Sequence, residues 1–325
     1  MNLKSEALEA AANALKLNTS FLIAGHVNPD GDCLGCMCAL GIALHRLGKK
    51  ATMVSPDGVP EMYKFLPCSG SIIRDVPEGS AFDVAIAVDC EGLDRTGSVE
   101  DAMRSCERLI EIDHHPGDRK ESAISLVDAS AAATGEIVLP LFKAAGVRVD
   151  ADIALCLLAA IVTDTGSFRF GNVRPSTFRA AAELTEAGAS PSDIARHVYE
   201  TRSYSSTKLL GLALSTLQTT VDGRIAWASI TRNQMTESSA SEAETEGIVN
   251  YVLAIRGAQV GLLFREGPDN TTRVSLRSRD GLEISQVARL FGGGGHAMAA
   301  GCTVERPLAD AEGVVLSAVR KWMGY

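Results

Sequence analysis

The sequence predicts an α/β protein in which an N-terminal domain with a mainly parallel sheet is followed by a smaller C-terminal α/β domain. Three observations support this prediction. The length of 325 residues is typical of two domains. The first half alternates short apolar segments with helical patterns, which is typical of a parallel sheet. Beyond about residue 215, the pattern changes to pairs of strand-like segments separated by turn residues.

In the first domain, short apolar segments bounded by turn residues are predicted strands: Ser20–Ala24, Ala51–Ser55, Phe82–Val88 and Leu109–Ile112. Apolar residues at helical spacing predict helices over Cys33–Leu47, Ala132–Ala145, Asp152–Val162, Arg179–Gly188 and Pro191–Glu200. Because helices connect the strands, we expect the strands to run parallel with both faces of the sheet covered. Ligands of such sheets bind beyond the carboxyl ends of the strands.

In the second domain, turn residues separate two pairs of strand-like segments: Thr219–Val221 with Arg224–Ile230, and Ala258–Arg265 with Thr271–Arg279. We therefore expect a first domain at residues 1–190, a linker at 191–214 and a second domain at 215–325. The active site is expected in the cleft between the two domains.

The composition disfavours several classes of protein. Lys and Arg number 31 against 40 Asp and Glu, and the net charge of −9 disfavours a long nucleic-acid duplex as partner. The aromatic content of 5% disfavours an extended stacking surface for single strands. No apolar run approaches the roughly 18 residues that cross a bilayer, and the first residues lack a signal-peptide pattern. We therefore expect a cytoplasmic protein with no membrane partner and with eight free cysteines.

Acidic and histidine residues follow the ends of several predicted elements. They are His26, Asp30, Asp32, Asp89, Asp113, His114, His115 and Asp164. Because the carboxyl ends of parallel strands meet at one edge of a sheet, these side chains can converge. Carboxylate and imidazole ligands suit Mn²⁺, Mg²⁺, Fe²⁺ or Zn²⁺. The number of carboxylates indicates two ions, which at about 3.5–4 Å apart can hold both oxygens of an in-line phosphoryl displacement.

The second domain carries a candidate phosphate-binding surface. The four glycines Gly292–Gly295 allow close backbone approach and can direct N–H groups at an anion. The period of two in a strand places Arg273, Ser275, Arg277 and Arg279 on one face. Arginine binds phosphate through paired hydrogen bonds, so this face is expected to contact a phosphorylated substrate.

These motifs together resemble those of a known family. H-x-N-P-D-G-D at 26–32, Asp89, D-H-H at 113–115 and T-D-T-G at 163–166 resemble motifs I to IV of the DHH phosphoesterase superfamily. G-G-G-G-H-A-M-A-A-G at 292–301 resembles the signature of its DHHA1 domain. The resemblance covers nearly the whole chain, and all five motifs occur in the family's order. The S-L-R-S and G-G-G-H segments are similar to those of the NrnA subgroup, described as oligoribonucleases that also hydrolyse 3′-phosphoadenosine-5′-phosphate (pAp).

The resemblance implies roles for these residues. It makes His26 and Asp30 ligands of one Mn²⁺ and Asp32 and Asp164 ligands of a second, with Asp89 bridging both and His114 a further ligand. It makes His115 the histidine that faces the substrate phosphate and stabilises charge or protonates the leaving oxygen, with Asp113 fixing an imidazole tautomer. It makes Ser275, Arg277, Gly293, Gly294, Gly295 and His296 the substrate-binding residues. Cys36 departs from the family, which often has Ser there.

The resemblance implies an Mn²⁺-dependent phosphoesterase that hydrolyses RNA of about two to five nucleotides, pAp, or both, with Mg²⁺ or another divalent ion as alternative metals. A cyclic-dinucleotide or pApA phosphodiesterase shares this architecture and remains an alternative. A non-catalytic nucleotide-binding protein is disfavoured because none of the expected ligands is missing. A homodimer is left open.

Overall fold

The computed structural model describes residues 5–117, 122–279 and 281–324. It divides into two compact units, the first ending at Thr201 and the second beginning at Arg202. This division falls within the stretch 191–214 that the sequence predicts as a linker. The stretch is largely helical, with α7 at Pro191–Ala195, a π-helical turn at Arg196–Glu200 and α8 at Tyr204–Ser215.

The first unit contains a five-stranded sheet in which every pair of neighbouring strands is parallel. Its strands are β1 (Ser20–Ala24), β2 (Lys50–Val54), β3 (Val84–Val88), β4 (Arg108–Asp113) and β5 (Ile124–Val127). The order across the sheet is β2-β1-β3-β4-β5. The prediction of a parallel sheet is therefore confirmed, and β5 is a strand that the sequence analysis missed.

The helices of the first unit are α1 (Ser5–Leu17), α2 (Gly31–Arg46), α3 (Glu100–Arg104), α4 (Gly135–Ala145), α5 (Ala151–Asp164), α6 (Pro175–Glu186) and α7. Both faces of the sheet are covered, as the apolar strands require. In β1, Phe21 and Ile23 pack into the core that contains α2 and α5, whereas Leu22 and Ala24 pack into the core on the opposite face. Because β1, β3 and β4 are parallel, their carboxyl ends lie at the same edge of the sheet.

The second unit contains a mixed six-stranded sheet, ordered β10-β11-β9-β8-β7-β6. The strands are β6 (Gln218–Thr219), β7 (Ile225–Ile230), β8 (Val260–Glu266), β9 (Thr272–Ser278), β10 (Gly294–His296) and β11 (Ala299–Val304). β7 and β8 are parallel, and the other neighbours are antiparallel. The two predicted pairs, β6 with β7 and β8 with β9, are therefore confirmed.

The helices of the second unit are α8, α9 (Arg232–Ser238), α10 (Ile248–Leu253), α11 (Ser285–Arg289) and α12 (Leu308–Trp322). They cover both faces of the mixed sheet. In β7, Ile225 and Trp227 pack into the core with α12, whereas Ala226 and Ala228 pack into the core with α8 and α10. The second unit therefore has cores of its own.

Two further expectations concern thiols and membranes. All eight cysteines are free, and the three of α2, Cys33, Cys36 and Cys38, are buried in the core of the first unit. Within the described ranges, we find no helix with both the length and the apolar character needed to cross a bilayer.

Candidate active site

The acidic and histidine residues singled out in the first half of the sequence come together at one edge of the parallel sheet. Three groups have ligand atoms that all lie within 4.8 Å of one another. They are His26 with Asp30 and Asp89, Asp32 with His114 and Asp164, and Asp89 with His114 and His115. Asp89 and His114 each belong to two of the groups, so the groups form one continuous cluster. We use the term metal-binding groups for its six candidate ligands: His26, Asp30, Asp32, Asp89, His114 and Asp164.

Asp89 lies at the centre of this cluster, directly after β3. Its side chain is buried, and its two oxygens face different histidines. Oδ2 lies 3.7 Å from Nε2 of His26, and Oδ1 lies 3.6 Å from Nε2 of His114. The Thr134 hydroxyl donates a hydrogen bond of 2.9 Å to Oδ1. The backbone of Asp89 has φ +57°, a left-handed conformation that aspartate adopts more readily than most residues.

The loop between β1 and α2 supplies His26 and Asp30. Asp30 is the N-cap of α2 and accepts hydrogen bonds from the N–H groups of Asp32 and Cys33. Nδ1 of His26 lies 2.8 Å from the Val27 carbonyl oxygen, so a proton on Nδ1 leaves Nε2 facing the carboxylates. Burial lowers the pKa of His26, but hydrogen bonds to Asp30 and Asp89 outweigh it and raise the pKa to about 11. The carboxylates therefore favour positive charge at this place.

Asp32 is fully buried in the first turn of α2. Its oxygens accept hydrogen bonds from the N–H groups of Thr134 and Gly135, at 2.6 and 3.0 Å. Burial, together with the charge of neighbouring aspartates, raises the pKa of Asp32 well above its usual range. The Cys36 thiol donates to the same carboxylate at 3.4 Å. Cys36 therefore supplies a hydrogen bond to Asp32, at a position where the family that the motifs resemble often has Ser.

His114 gives the clearest indication that this cluster suits a cation. Its buried Nε2 has no hydrogen-bond partner within the described residues. Oxygens of Asp32, Asp89 and Asp164 surround it at 3.6–3.9 Å, too far for hydrogen bonds. Burial also raises the pKa of Asp164 to about 6, and Asp89 and Asp30 add to the rise although His114 opposes it. Carboxylates and an unpartnered imidazole nitrogen in this arrangement fit a divalent metal.

Asp113 and His115 form a pair at the end of β4, and Nδ1 of His115 also lies 3.7 Å from Oδ1 of Asp89. Oδ1 of Asp113 lies 2.8 Å from Nδ1 of His115 and accepts a hydrogen bond of 3.1 Å from the His115 N–H. Burial lowers the pKa of His115, but the hydrogen bond and charge of Asp113 outweigh it and raise the pKa overall. Asp113 therefore fixes the orientation of the His115 ring.

Two residues that support the site were not recognised in the sequence. Thr134 contacts both Asp32 and Asp89 at the start of α4. Asn172 donates from Nδ2 to the Asp164 carbonyl at 3.1 Å and to its carboxylate at 3.4 Å. The Thr134–Gly135 pair before a helix is a weak signal of the first. Asn172 lies eight residues beyond Asp164 in a loop, and we find no pattern that predicts it.

In the second unit, strand β9 has the predicted alternation. Thr272, Val274 and Leu276 are buried, whereas Arg273 is exposed and Ser275 and Arg277 are half-buried on the other face. Arg279 follows the end of the strand. Nη2 of Arg277 lies 3.8 Å from Glu246. Burial lowers the pKa of Arg277, although Glu246 opposes this.

A pocket of about 380 Å³ lies on this face. Arg273 and its cross-strand neighbour Arg265 line it together with Ser275 and Gly293. Glu242 lies between the two guanidinium groups, 3.2 Å from Arg273 and 3.6 Å from Arg265. The polar, cationic lining is suited to an anion.

The glycine run has a structural role that the sequence analysis did not anticipate. The N–H groups of Gly292 and Gly293 donate to the Arg289 and Ala288 carbonyls and so end α11. Gly294, Gly295 and His296 form β10, which pairs with β11. A Cβ atom at Gly293 would lie 2.2 Å from the Gly301 carbonyl oxygen. At least two of the four N–H groups, those of Gly292 and Gly293, are therefore engaged within the protein. The substrate-binding roles of Gly293, Gly294, Gly295 and His296 stay predictions.

Comparison with known proteins agrees with these arrangements. The model of the DHH family, N-terminal domain, matches residues 20–161, and the model of the DHHA1 domain matches residues 223–324. The bifunctional oligoribonuclease and PAP phosphatase NrnA of Thermus thermophilus is 33% identical, covering 99% of this chain and 94% of that protein. The Bacillus subtilis protein of the same name is 28% identical, covering 92% and 95%.

A solved structure is also similar along its full length. It is the crystal structure of an exopolyphosphatase-related protein from Bacteroides fragilis. The two chains are 25% identical with a TM-score of 0.93, over 99% of this chain and 97% of that chain.

Proposed function

The chain belongs to the DHH family of phosphoesterases, and on that premise we propose that it uses Mn²⁺ to hydrolyse short oligoribonucleotides and pAp. The main support is the likeness to NrnA proteins over nearly the whole chain, at 33% identity to the Thermus thermophilus protein. The continuous cluster of carboxylates and imidazoles supports a metal-dependent reaction independently of that likeness. Because the proposed substrates are RNA fragments and nucleotides, the proposal places the protein in the cytoplasm.

The metal-binding groups are proposed to hold two divalent ions. His26 and Asp30 would bind one ion, Asp32, His114 and Asp164 the other, and Asp89 would bind both. When bound, such ions polarise the phosphoryl oxygens and offset the negative charge that develops on them. Mn²⁺ is our first candidate and Mg²⁺ the alternative, because oxygen and imidazole ligands suit both.

His115 is proposed to act on the substrate phosphate. Asp113 holds the imidazole through Nδ1, which leaves Nε2 to contact a phosphoryl oxygen or the leaving oxygen. The hydrogen bond of Asp113 favours the protonated ring, and a protonated ring can stabilise charge or donate a proton.

The second unit is proposed to bind the part of the substrate beyond the reacting phosphate. Arg277 and Ser275 lie on the accessible face of β9, and the pocket with Arg265 and Arg273 adjoins them. Gly293–Gly295 and His296 of the DHHA1 signature are assigned to the same task. A small cationic surface in a chain of net charge −9 supports short substrates over long ones.

A substrate panel tests this proposal. The purified protein is assayed with Mn²⁺, Mg²⁺ or a chelator against pAp, pGpG, pApA, a 5-mer RNA, pyrophosphate and cyclic dinucleotides. We expect metal-dependent release of mononucleotides from short RNA and of phosphate from pAp. Activity confined to cyclic dinucleotides or pyrophosphate, or full activity with the chelator, would contradict the proposal.

A further inference from the structure

The loop that follows Asp164, one of the metal-binding groups, carries an exposed aromatic side chain. Phe170 is 55% exposed, and its N–H donates a hydrogen bond of 3.1 Å to the carbonyl of Thr165, the residue after Asp164. Two residues further on, Asn172 contacts the Asp164 carboxylate. The loop that follows Asp164 and contacts its carboxylate therefore also carries Phe170.

The backbone beneath the ring has an uncommon conformation. Gly166, Ser167 and Phe168 have φ of +54°, +62° and +61°, a region that residues other than glycine rarely adopt. A Cβ atom at Gly166 would lie 2.4 Å from Cζ of Phe170, so the ring lies directly against the glycine backbone. Left-handed runs of this kind persist where the surrounding structure imposes them, and they cluster at functional sites.

Local hydrogen bonds impose this loop conformation. The Thr165 hydroxyl accepts from the Phe168 N–H at 3.1 Å, and Thr165 itself is fully buried. Nε of Arg169 donates to the Gly166 carbonyl at 2.5 Å. Phe170 is therefore held in a fixed place while more than half of its surface stays open to solvent.

A second exposed phenylalanine in the same region provides a contrast. Phe178 is 56% exposed, but its ring stacks on Phe168 with centroids 5.3 Å apart and planes at 19°. Within the described ranges, no aromatic ring stacks on Phe170. The fixed loop thus presents a phenyl group that has backbone on one side and no stacking partner among the residues that the structure describes.

On the basis of the proposed function, we propose that Phe170 is the surface on which one nucleobase of the substrate stacks. Every base has a flat π-face, so stacking on phenylalanine suits a substrate set of mixed sequence. pAp and short RNA both carry a nucleoside next to the reacting phosphate, and the metal-binding groups are where that phosphate is expected. The ring therefore positions the nucleoside while the metal-binding groups hold the phosphate.

Kinetics of the Phe170→Ala variant with and without a base on the substrate distinguish base stacking from a general effect on the site. Removal of the stacking contact is expected to raise KM for pAp roughly 5–150-fold, with unchanged bound Mn²⁺ per chain. Turnover of ribose 3,5-bisphosphate, which has the phosphates of pAp but no base, should stay at the wild-type rate. Phe170→Trp should restore the KM for pAp, since it keeps an aromatic face. Phe178→Ala, a change at an equally exposed phenylalanine, is the matched control and should keep wild-type kinetics.

The other outcomes distinguish the two proposals. If Phe170→Ala impairs pAp and ribose 3,5-bisphosphate equally, or loses Mn²⁺, the residue only supports the Asp164 loop and the stacking role is wrong. If wild-type protein hydrolyses pAp and the variant has the same KM, the stacking role is also wrong while the proposed function stands. If wild-type protein hydrolyses neither pAp nor dinucleotides, both proposals fail.

Discussion

At the scale of single residues, Asp89 combines the features that a shared metal ligand needs. Asp89 directly follows β3 and therefore lies at the carboxyl edge of the sheet. Its backbone has the left-handed conformation at this point. Its two oxygens face His26 on one side and His114 on the other. The Thr134 hydroxyl holds Oδ1, so the carboxylate is fixed before any ion binds. Because the carboxylate is already held in place, ion binding does not have to order this side chain.

Asp89→Ala is therefore expected to lower both metal content and turnover. Because the carboxylate is proposed to contact both ions, we expect less than the wild-type amount of bound Mn²⁺ and a fall in kcat of at least roughly 10²–10³-fold. Metal analysis and steady-state kinetics on the same preparation measure both quantities. Asp94→Ala, a change at an exposed aspartate five residues further on, is the control and should match wild type. Near wild-type turnover in Asp89→Ala with one ion bound would contradict the two-ion arrangement.

The sequence predicted that the metal-binding groups come together, because each of these residues lies near the carboxyl end of β1, β3 or β4 or ends α5. A parallel sheet brings such positions together whatever the lengths of the connections. The sequence did not predict Asn172, because its contact with Asp164 depends on the path of the loop between them. It also led to the prediction that the N–H groups of Gly292–Gly295 point at an anion. In the structure, the N–H groups of Gly292 and Gly293 instead donate to carbonyls of α11 and its C-terminal end. Helix α11 has only five residues and gave no clear pattern of its own.

At the scale of secondary-structure elements, strand β9 presents the cationic face of the second unit. Its alternation buries Val274 and Leu276 and leaves Arg273, Ser275 and Arg277 accessible. Glu242 lies 3.2 Å from Arg273, and Glu246 lies 3.8 Å from Arg277. The alternation of side chains along a strand places these residues on one face, so the sequence could predict this face.

Arg277→Ala is expected to weaken substrate binding while the metals stay in place. Charge-assisted hydrogen bonds contribute about 1.5–3 kcal/mol, which corresponds to a rise in KM of roughly 10–150-fold. The effect should be mainly on KM, since contact with a remote phosphate stabilises substrate and transition state alike. His296→Ala is expected to behave in the same way, and Arg320→Ala on α12 serves as a control. Loss of bound metal, or unchanged kinetics in both variants, would overturn this assignment.

The Asp83 carboxylate, just before β3, binds the start of β1 through hydrogen bonds that lower its pKa. The Asp83 carboxylate accepts hydrogen bonds from the hydroxyl and N–H of Thr19 and the N–H of Ser20, which lower its pKa to about 2. A pKa below the unfolded value of about 3.9 means that the ionised form stabilises the folded state. This contribution is fully present above about pH 4 and disappears as the pH falls towards 2.

Asp83→Asn should therefore lower the melting temperature at pH 7, and the difference from wild type should shrink between pH 4 and pH 3. Thermal unfolding of both proteins at pH 7, 4 and 3 measures this. Asp57 has an exposed carboxylate that accepts one hydrogen bond, from the Asn28 N–H. Asp57→Asn provides a comparison with a single such contact. A difference for Asp83→Asn that is the same at all three pH values would show that the ionised carboxylate is not responsible.

At the scale of the whole molecule, the distribution of charge is expected to favour short substrates. The chain has a net charge of −9, while Arg265 of β8 and Arg273 of β9 line one pocket. A substrate with few phosphates can use this surface fully. Each additional nucleotide of a longer strand adds phosphates that the net negative charge of the chain repels. We therefore expect a preference for short substrates that depends on the charge of the entire chain and on no single residue.

The central claim, that this is a phosphoesterase for short RNA, is tested most directly by substrate length and salt. kcat/KM is measured with Mn²⁺ for a 2-mer, a 5-mer and a 24-mer RNA at two salt concentrations. We expect the 2-mer and 5-mer to be cleaved far more efficiently than the 24-mer, with a weak dependence on salt because few phosphates are neutralised. Equal or better cleavage of the 24-mer, with a steep loss of activity at higher salt, would contradict the claim and indicate an exonuclease for long strands.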